Sequence, residues 1–200
     1  LNLFADIPDD GKETIKNDAS QSLKTMVHKY ELVDKEEDIK KLYDFLITND
    51  FVSFDTETTS TNAIDAELVG LSFSVKEKEA YYVPVSSNRE EAEKIVNIFK
   101  PLYENEEILK IGQNMKYDIE VLANYGVEVR GKMFDTMIAH YLIQPETRHN
   151  MDDMAETYLD YKTIRIEELI GPKGKGQKSM RDLQPSEVYE YAAEDADITL

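Results

Sequence analysis

The order of apolar segments along this chain predicts a mixed α/β domain. The expected core is a five-stranded sheet, three strands antiparallel and then parallel strands, flanked by helices. Three observations lead there. Three strand-like runs, FVSFDTET, ELVGLSFSV and AYYVPV, follow one another with short turns between them; strand-like and helical segments then alternate; the last part of the chain reads as helix. At 200 residues the chain is long enough for one domain with a full core. Hydrophobic residues at 41% and charged residues at 32% fit a soluble globular protein, and no apolar run approaches the about 18–20 residues of a membrane span.

Residues 1–24 are polar without a sustained period, and DDGKETIKNDASQS reads as a flexible linker, leaving the domain over 25–200. HKYELVD is a candidate short strand. Asp34 is then placed to cap a helix over KEEDIKKLYDFLIT, with Ile39, Leu42, Phe45 and Leu46 inward. The three strand candidates follow, separated by STNAIDA and KEKE, and suggest an antiparallel meander. REEAEKIVNIFKPLYEN is a helix with Ile95, Val96, Phe99 and Leu102 inward and an interruption near Pro101. EILKIGQN is a fourth strand, and MKYDIEVLANYG a helix closed by Gly126. VRGKMFD is a short fifth strand feeding the helix TMIAHYLIQ, with Asp135 as its N-cap. Two more helices are expected, MDDMAETYLD and PSEVYEYAAEDADITL, the second opened by Pro185; between them the Gly-rich basic GPKGKGQKS reads as a mobile loop. This element order is that of the ribonuclease H-like fold.

Composition narrows the chemistry. With no cysteine, disulfides and thiolate zinc sites are excluded, so a metal would be held by oxygen or by the three histidines; oxygen ligands favour magnesium, manganese or calcium. The N-terminus LNLFADIPDD has neither the basic flank nor the apolar run of a secretory signal, nor an initiator methionine, and the chain is expected to be a fragment of a larger cytoplasmic protein. A formal charge of −18 argues against a large nonspecific grip on nucleic acid. Acids that chelate divalent cations can still act on a phosphate backbone while another domain supplies the grip.

Three groups of residues carry candidate chemistry. Asp55 and Glu57, two apart on a strand, lie on the same side of the sheet, and the apolar Phe51, Val52 and Phe54 before them suggest a central strand. Alone, the pair fits a strand end turning to solvent as well as a site. Asn114 and Asp118, four apart, share a helical face, where Asp118 could equally be a first-turn acid favoured by the helix dipole. Tyr191 and Asp195 are also four apart, with two alanines between them that allow close approach, although such a tyrosine is commonly a hydrogen-bonded core residue.

FDTET, GQNMKYD and YAAEDAD together resemble the three exonuclease motifs of the DEDD superfamily, in the branch where a tyrosine precedes the last aspartate by four. The chain resembles the 3′-5′ proofreading domains of bacterial DNA polymerase I, and ELVGLSFSV, YYVPV, LANYGVEVRGKMFDTM and RHNMDDMAETYL extend the likeness from about residue 30 to the end. The resemblance implies that Asp55, Glu57, Asp118 and Asp195 hold two divalent ions, Mg2+ or Mn2+, and that Tyr191 orients the attacking water. It assigns Thr56, Thr61, Gln113, Asn114, Tyr117 and Met180 to the substrate-binding set. Two of these depart from the family: Thr61 stands where many relatives carry a leucine that wedges between terminal bases, and Met180 where an aromatic often stacks.

The implied reaction removes 5′-mononucleotides one at a time from unpaired DNA 3′ ends, with little sequence preference. The implied setting is a monomeric bacterial polymerase, cytoplasmic and nucleoid-associated, whose polymerase domain lies in the same chain. A ribonuclease D-like RNA exonuclease and a catalytically silent scaffold domain are the competing expectations. His149 reads as a hydrogen-bonding loop or helix-entry residue rather than a ligand, Asp197 as exposed, and KGKGQK as a solvated loop.

Overall fold

The computed structural model describes residues 21–200, and the structural statements below concern those residues. In chain order the elements are β1 (Gln21–Ser22), β2 (Lys29–Leu32), α1 (Glu36–Leu46), β3 (Phe51–Thr58), β4 (Leu68–Lys76), β5 (Glu79–Pro84), α2 (Arg89–Glu104), β6 (Leu109–Gly112), α3 (Met115–Ala123), β7 (Met133–Asp135), α4 (Thr136–Ile143), α5 (Met151–Leu159), β8 (Tyr161–Lys162), α6 (Ile166–Ile170) and α7 (Pro185–Thr199), with a 3-10 turn at Met180–Asp182. The linker expected over 1–24 lies outside the described residues as far as residue 20. Gln21–Ser22 pair in parallel with β8.

The main sheet has six strands in the order β2-β5-β4-β3-β6-β7, one more than expected. The addition is HKYELVD: Lys29–Leu32 run parallel to β5 at the sheet edge. Its partner lies some fifty residues further along, so local pattern could not count it into the sheet. The meander β3-β4-β5 is antiparallel, and β6 and β7 add in parallel beyond β3. β3 is thus central, between β4 and β6.

Strand alternation divides the two faces. Val52 and Phe54 of β3, Leu71 and Phe73 of β4 and Val83 of β5 point into the larger core, where they meet Ile39, Leu42 and Leu46 of α1 and Val96, Phe99 and Leu102 of α2. On the opposite face Ser53, Asp55 and Glu57 of β3 and Gly70, Ser72 and Ser74 of β4 are mostly small or polar, and α7 packs across β2, β5, β4 and β3 there. Its buried Ala192, Ala193 and Ala196 present equally small side chains, so helix and sheet approach closely. Gly70 sits opposite Glu57 in the ladder, where an added Cβ would come within 2.1 Å of the Tyr82 ring.

Several local expectations are corrected. Asp34 does not cap α1; the helix begins a residue later, after Lys35, which contributes no side-chain cap, and its first turn is instead charged by Glu36, Glu37 and Asp38. Phe45 lies on the helix shoulder, 43% exposed, edge-on to Tyr81, because the inward stripe is Ile39, Leu42 and Leu46. α2 runs unbroken through Pro101, which is exposed and near the C-terminal end, where a missing N–H removes a single helical bond. Asp197, expected at the surface, is buried. Its carboxylate accepts from the Tyr30 hydroxyl at 2.6 Å and from Lys78 N at 2.7 Å, tying β2 and the β4–β5 turn to α7.

Candidate active site

Asp55 and Glu57 leave β3 on the α7 face, and α7 brings Asp195 to them. Carboxylate oxygens of Asp55, Glu57 and Asp195 all lie within 4.8 Å of one another. The fourth acid arrives differently. Pairing of β3 with β6 stops at Ser53 and Ile111, since β6 ends at Gly112 and the chain turns into α3. Beyond that point Asp118, in the first turn of α3, replaces the missing strand. Its Oδ1 accepts from Thr56 N at 3.1 Å and from the Thr56 hydroxyl at 2.6 Å.

The electrostatics of the site are set by burial and by acids facing one another. Burial pushes the Asp55 carboxyl up to about 6. Burial, then the charges of Asp55 and Asp118, raise Glu57 well above the carboxylate range. Asp118 is raised by burial and by Asp55, and Asp195 by burial and by Asp55 and Glu57. Glu57 Oε1 is buried and has no hydrogen-bond partner among the described residues. An unpaired buried carboxylate oxygen within an all-oxygen acid cluster fits a hard divalent cation.

Tyr191 sits one helical turn before Asp195 and hydrogen-bonds its carboxylate; burial and then the Asp195 charge hold its phenol well above the ordinary value. Beside it Glu194, which sequence reasoning passed over, is fully buried. It accepts from the Tyr161 hydroxyl and from Ile164 N, both at 2.6 Å, and so fastens the 161–164 segment to α7 next to Asp195; burial lifts it to about 7. Its sequence signal is faint: an acid within the small-residue run AAEDA.

The sequence model of a family described as 3′-5′ exonuclease matches residues 30–200. The chain belongs to this 3′-5′ exonuclease family. DNA polymerase I of Pseudomonas aeruginosa is 42% identical over 160 residues, which cover 76% of this chain and 17% of that protein. The chain therefore spans less than a fifth of the length of such a relative. Among solved structures, Brucella melitensis NrnC with bound Mg2+ superposes with a TM-score of 0.61 at 22% identity, covering 87% of this chain and 77% of that one. Escherichia coli RNase D superposes with a TM-score of 0.60 at 16% identity, covering 84% and 42%. At those identities the structures establish the shared ribonuclease H-like fold.

In this exonuclease domain the six residues expected to meet the substrate do not form one surface. Thr61, in the loop after β3, and Asn114, before α3, are exposed. Tyr117 is half-buried, its hydroxyl hydrogen-bonded to Thr58 Oγ1 at 2.5 Å and donating to Ser60 O. Gln113 is committed within the protein: its amide donates to His149 O at 2.7 Å and accepts from the Thr136 hydroxyl. Two of the six lie in the interior. Thr56 is buried, and its hydroxyl donates to Asp118. Met180 is buried with Val69, Tyr82, Val188 and Ala192, because the 3-10 turn folds it under α7, and it offers no face for stacking. Asn114 and Asp118 also fail to share a helical face, since Asn114 takes a left-handed conformation (φ 59°) before the helix begins. His149 hydrogen-bonds His140 through Nδ1 at 2.8 Å.

Proposed function

We propose that this domain hydrolyses the terminal phosphodiester of unpaired DNA 3′ ends, releasing 5′-mononucleotides, as the proofreading part of a larger DNA polymerase I. The observation that supports it is the meeting of Asp55, Glu57 and Asp195 within 4.8 Å, with an unsatisfied Glu57 oxygen. In this reading Asp55, Glu57 and Asp195 hold one divalent ion, Mg2+ or Mn2+, and Asp55 and Asp118 hold a second. Bound there, two such ions would supply a nucleophile at neutral pH and neutralise charge on the phosphate and the leaving 3′ oxygen. Mg2+ bound to NrnC, a protein of the same fold, accords with this assignment.

The chain's own residues then position and shield. The raised phenol of Tyr191 stays protonated at neutral pH, so in this reading it orients the attacking water by hydrogen bonding and does not act as a base. Thr56 fixes Asp118. In this reading Thr61 and Asn114, both exposed, and half-buried Tyr117 border the strand end. The partner is the polymerase domain of the same chain, in a monomeric bacterial protein working on cytoplasmic, nucleoid DNA; no helix among the described residues is long and apolar enough to cross a membrane.

The test is Mg2+-dependent cleavage of a 3′-frayed DNA primer by the wild type and Asp55→Ala, with an RNA strand of equal length alongside. Loss of cleavage in a folded Asp55→Ala supports the exonuclease reading. Preference for RNA moves it to a ribonuclease, and an inert wild type that binds no Mn2+ to a scaffold.

A further inference from the structure

Strands β6 and β7 run parallel, with Gly112 opposite Asp135, and each feeds a helix: β6 through Gln113 and Asn114 into α3, β7 directly into α4. Two helix N-termini therefore lie side by side, each with backbone N–H groups needing acceptors. α4 is capped in the expected way, with Asp135 Oδ1 accepting from Met137 N at 2.9 Å and Ile138 N at 3.2 Å. α3 has no cap of its own, because Asn114 sits in the left-handed region and contributes no side-chain bond.

The missing cap comes from the neighbouring strand. Asp135 Oδ1 also accepts from Asn114 N at 3.2 Å, and Asp135 Oδ2 accepts from Met115 N at 2.8 Å. One carboxylate thus serves four backbone donors on two helices. Thr136 adds to the lacing: its hydroxyl donates to Gly112 O at 3.3 Å and to the Gln113 side chain. Gly112 leaves little slack, since a Cβ there would fall 2.5 Å from Met115 Cγ.

We propose that Asp135 is a positioning residue for the exonuclease reaction, holding the start of α3 so that Asp118, three residues after Met115, meets Thr56 and the other acids. The proposal rests on reading Asp118 as a metal-holding acid. Asp135 is absent from the charges that act on Asp118, so its influence runs through backbone geometry. Asp118 is then located twice, at its carboxylate by Thr56 and at its helix by Asp135. Residues that orient metal-holding side chains in this indirect way commonly change metal affinity or activity by about 10–100-fold when replaced.

The test is Asp135→Asn in the full chain. Asparagine keeps one carbonyl oxygen for α4 but turns an amide toward Met115 N–H. The expected result is a kcat lower by about tenfold, Mn2+ binding by calorimetry weakened by about tenfold, a DNA KM within about twofold, and little change in melting temperature. Asp135→Ser retains a short cap for α4 while leaving Met115 without its acceptor, and it replaces Asp135→Asn if that variant does not fold. Wild-type Mn2+ binding and kcat in the folded variant, with or without lower thermal stability, would reduce Asp135 to a helix cap and overturn the proposal. Because Mn2+ binding is measured without turnover, weakened binding alongside an inactive wild type would sink the exonuclease reading and leave the role of Asp135 standing.

Discussion

Thr56 donates both its backbone N–H and its hydroxyl to one oxygen, Oδ1, of Asp118, a residue 62 positions away. The first of these bonds occupies a position on β3 that a continuing β6 would have filled. A buried acid has thus been built into the end of a β-ladder, and the threonine between Asp55 and Glu57 fastens it there.

Thr56→Val keeps the shape and removes the hydroxyl. The expected outcome is a kcat lower by about tenfold and a stability loss of about 1 kcal/mol, since Asp118 retains the backbone bond. Steady-state kinetics with urea unfolding on the same protein checks both; unchanged kcat would mean that the backbone bond and helix α3 locate Asp118 without the hydroxyl.

Tyr191→Phe removes a donor without opening a cavity. Cleavage should slow by about 10–100-fold while Mn2+ binding and the melting temperature stay near wild type, because the lost function is orientation of water. A variant that loses Mn2+ binding to the same degree would instead make Tyr191 a support for Asp195, to which its hydroxyl is bonded.

The acid cluster makes stability depend on pH and on metal. The folded Asp55 carboxyl lies at about 6 against an ordinary 3.8, so the folded state binds its proton more tightly than the unfolded chain. This contribution is fully present below pH about 4 and lost as pH rises through about 6. Glu57, Asp118 and Asp195, also raised, act in the same direction and extend the loss upward. Metal-free protein in EDTA should therefore melt lower at pH 8 than at pH 6, and saturating Mg2+ should remove most of that difference. Asp55→Asn should stabilise the metal-free protein at pH 7 by about 1–2 kcal/mol, an amount reduced for the partial exposure of the group. Calorimetric scans across pH, with and without Mg2+, decide it; a metal-free melting temperature that does not fall with pH would contradict the cluster's electrostatics.

Asp197→Ala strips the acceptor from the Tyr30 hydroxyl and from Lys78 N at the far end of α7. A stability loss of about 2–3 kcal/mol is expected, as two donors lose a charged partner in a part-buried setting. Urea unfolding measures it, and a loss below about 0.5 kcal/mol would show that water replaces the carboxylate without penalty.

Much of the fold was legible because it is written in local pattern. Runs of alternating or continuous apolar residues marked β3, β4 and β5, and Ile39, Leu42 and Leu46 marked α1. Asp135 as the cap of α4 and Pro185 at the start of α7 followed from the needs of helix termini. The edge strand β2 was not countable, because a four-residue strand belongs to the sheet only through its partner β5. Met180 and Asp197 were misread for a related reason: in a helix or turn that lies under or across a sheet, burial depends on what covers the residue, which spacing does not report.

By itself the sequence determined the chemistry available. Asp55 and Glu57 share a strand face because the strand period is two, Tyr191 and Asp195 share a helix face because the helix period is near four, and the motifs carrying them place the chain among 3′-5′ exonucleases. Tertiary structure alone decided which groups meet and what holds them. It set Asp195 within reach of Asp55 and Glu57 through small residues on α7 and β4, made Thr56 the anchor of Asp118, and gave α3 the cap that Asp135 already supplies to α4. The physical reason is that each of these relations joins backbone or side-chain groups 20 or more residues apart, and such pairings are fixed by sheet order and register, which no single segment encodes.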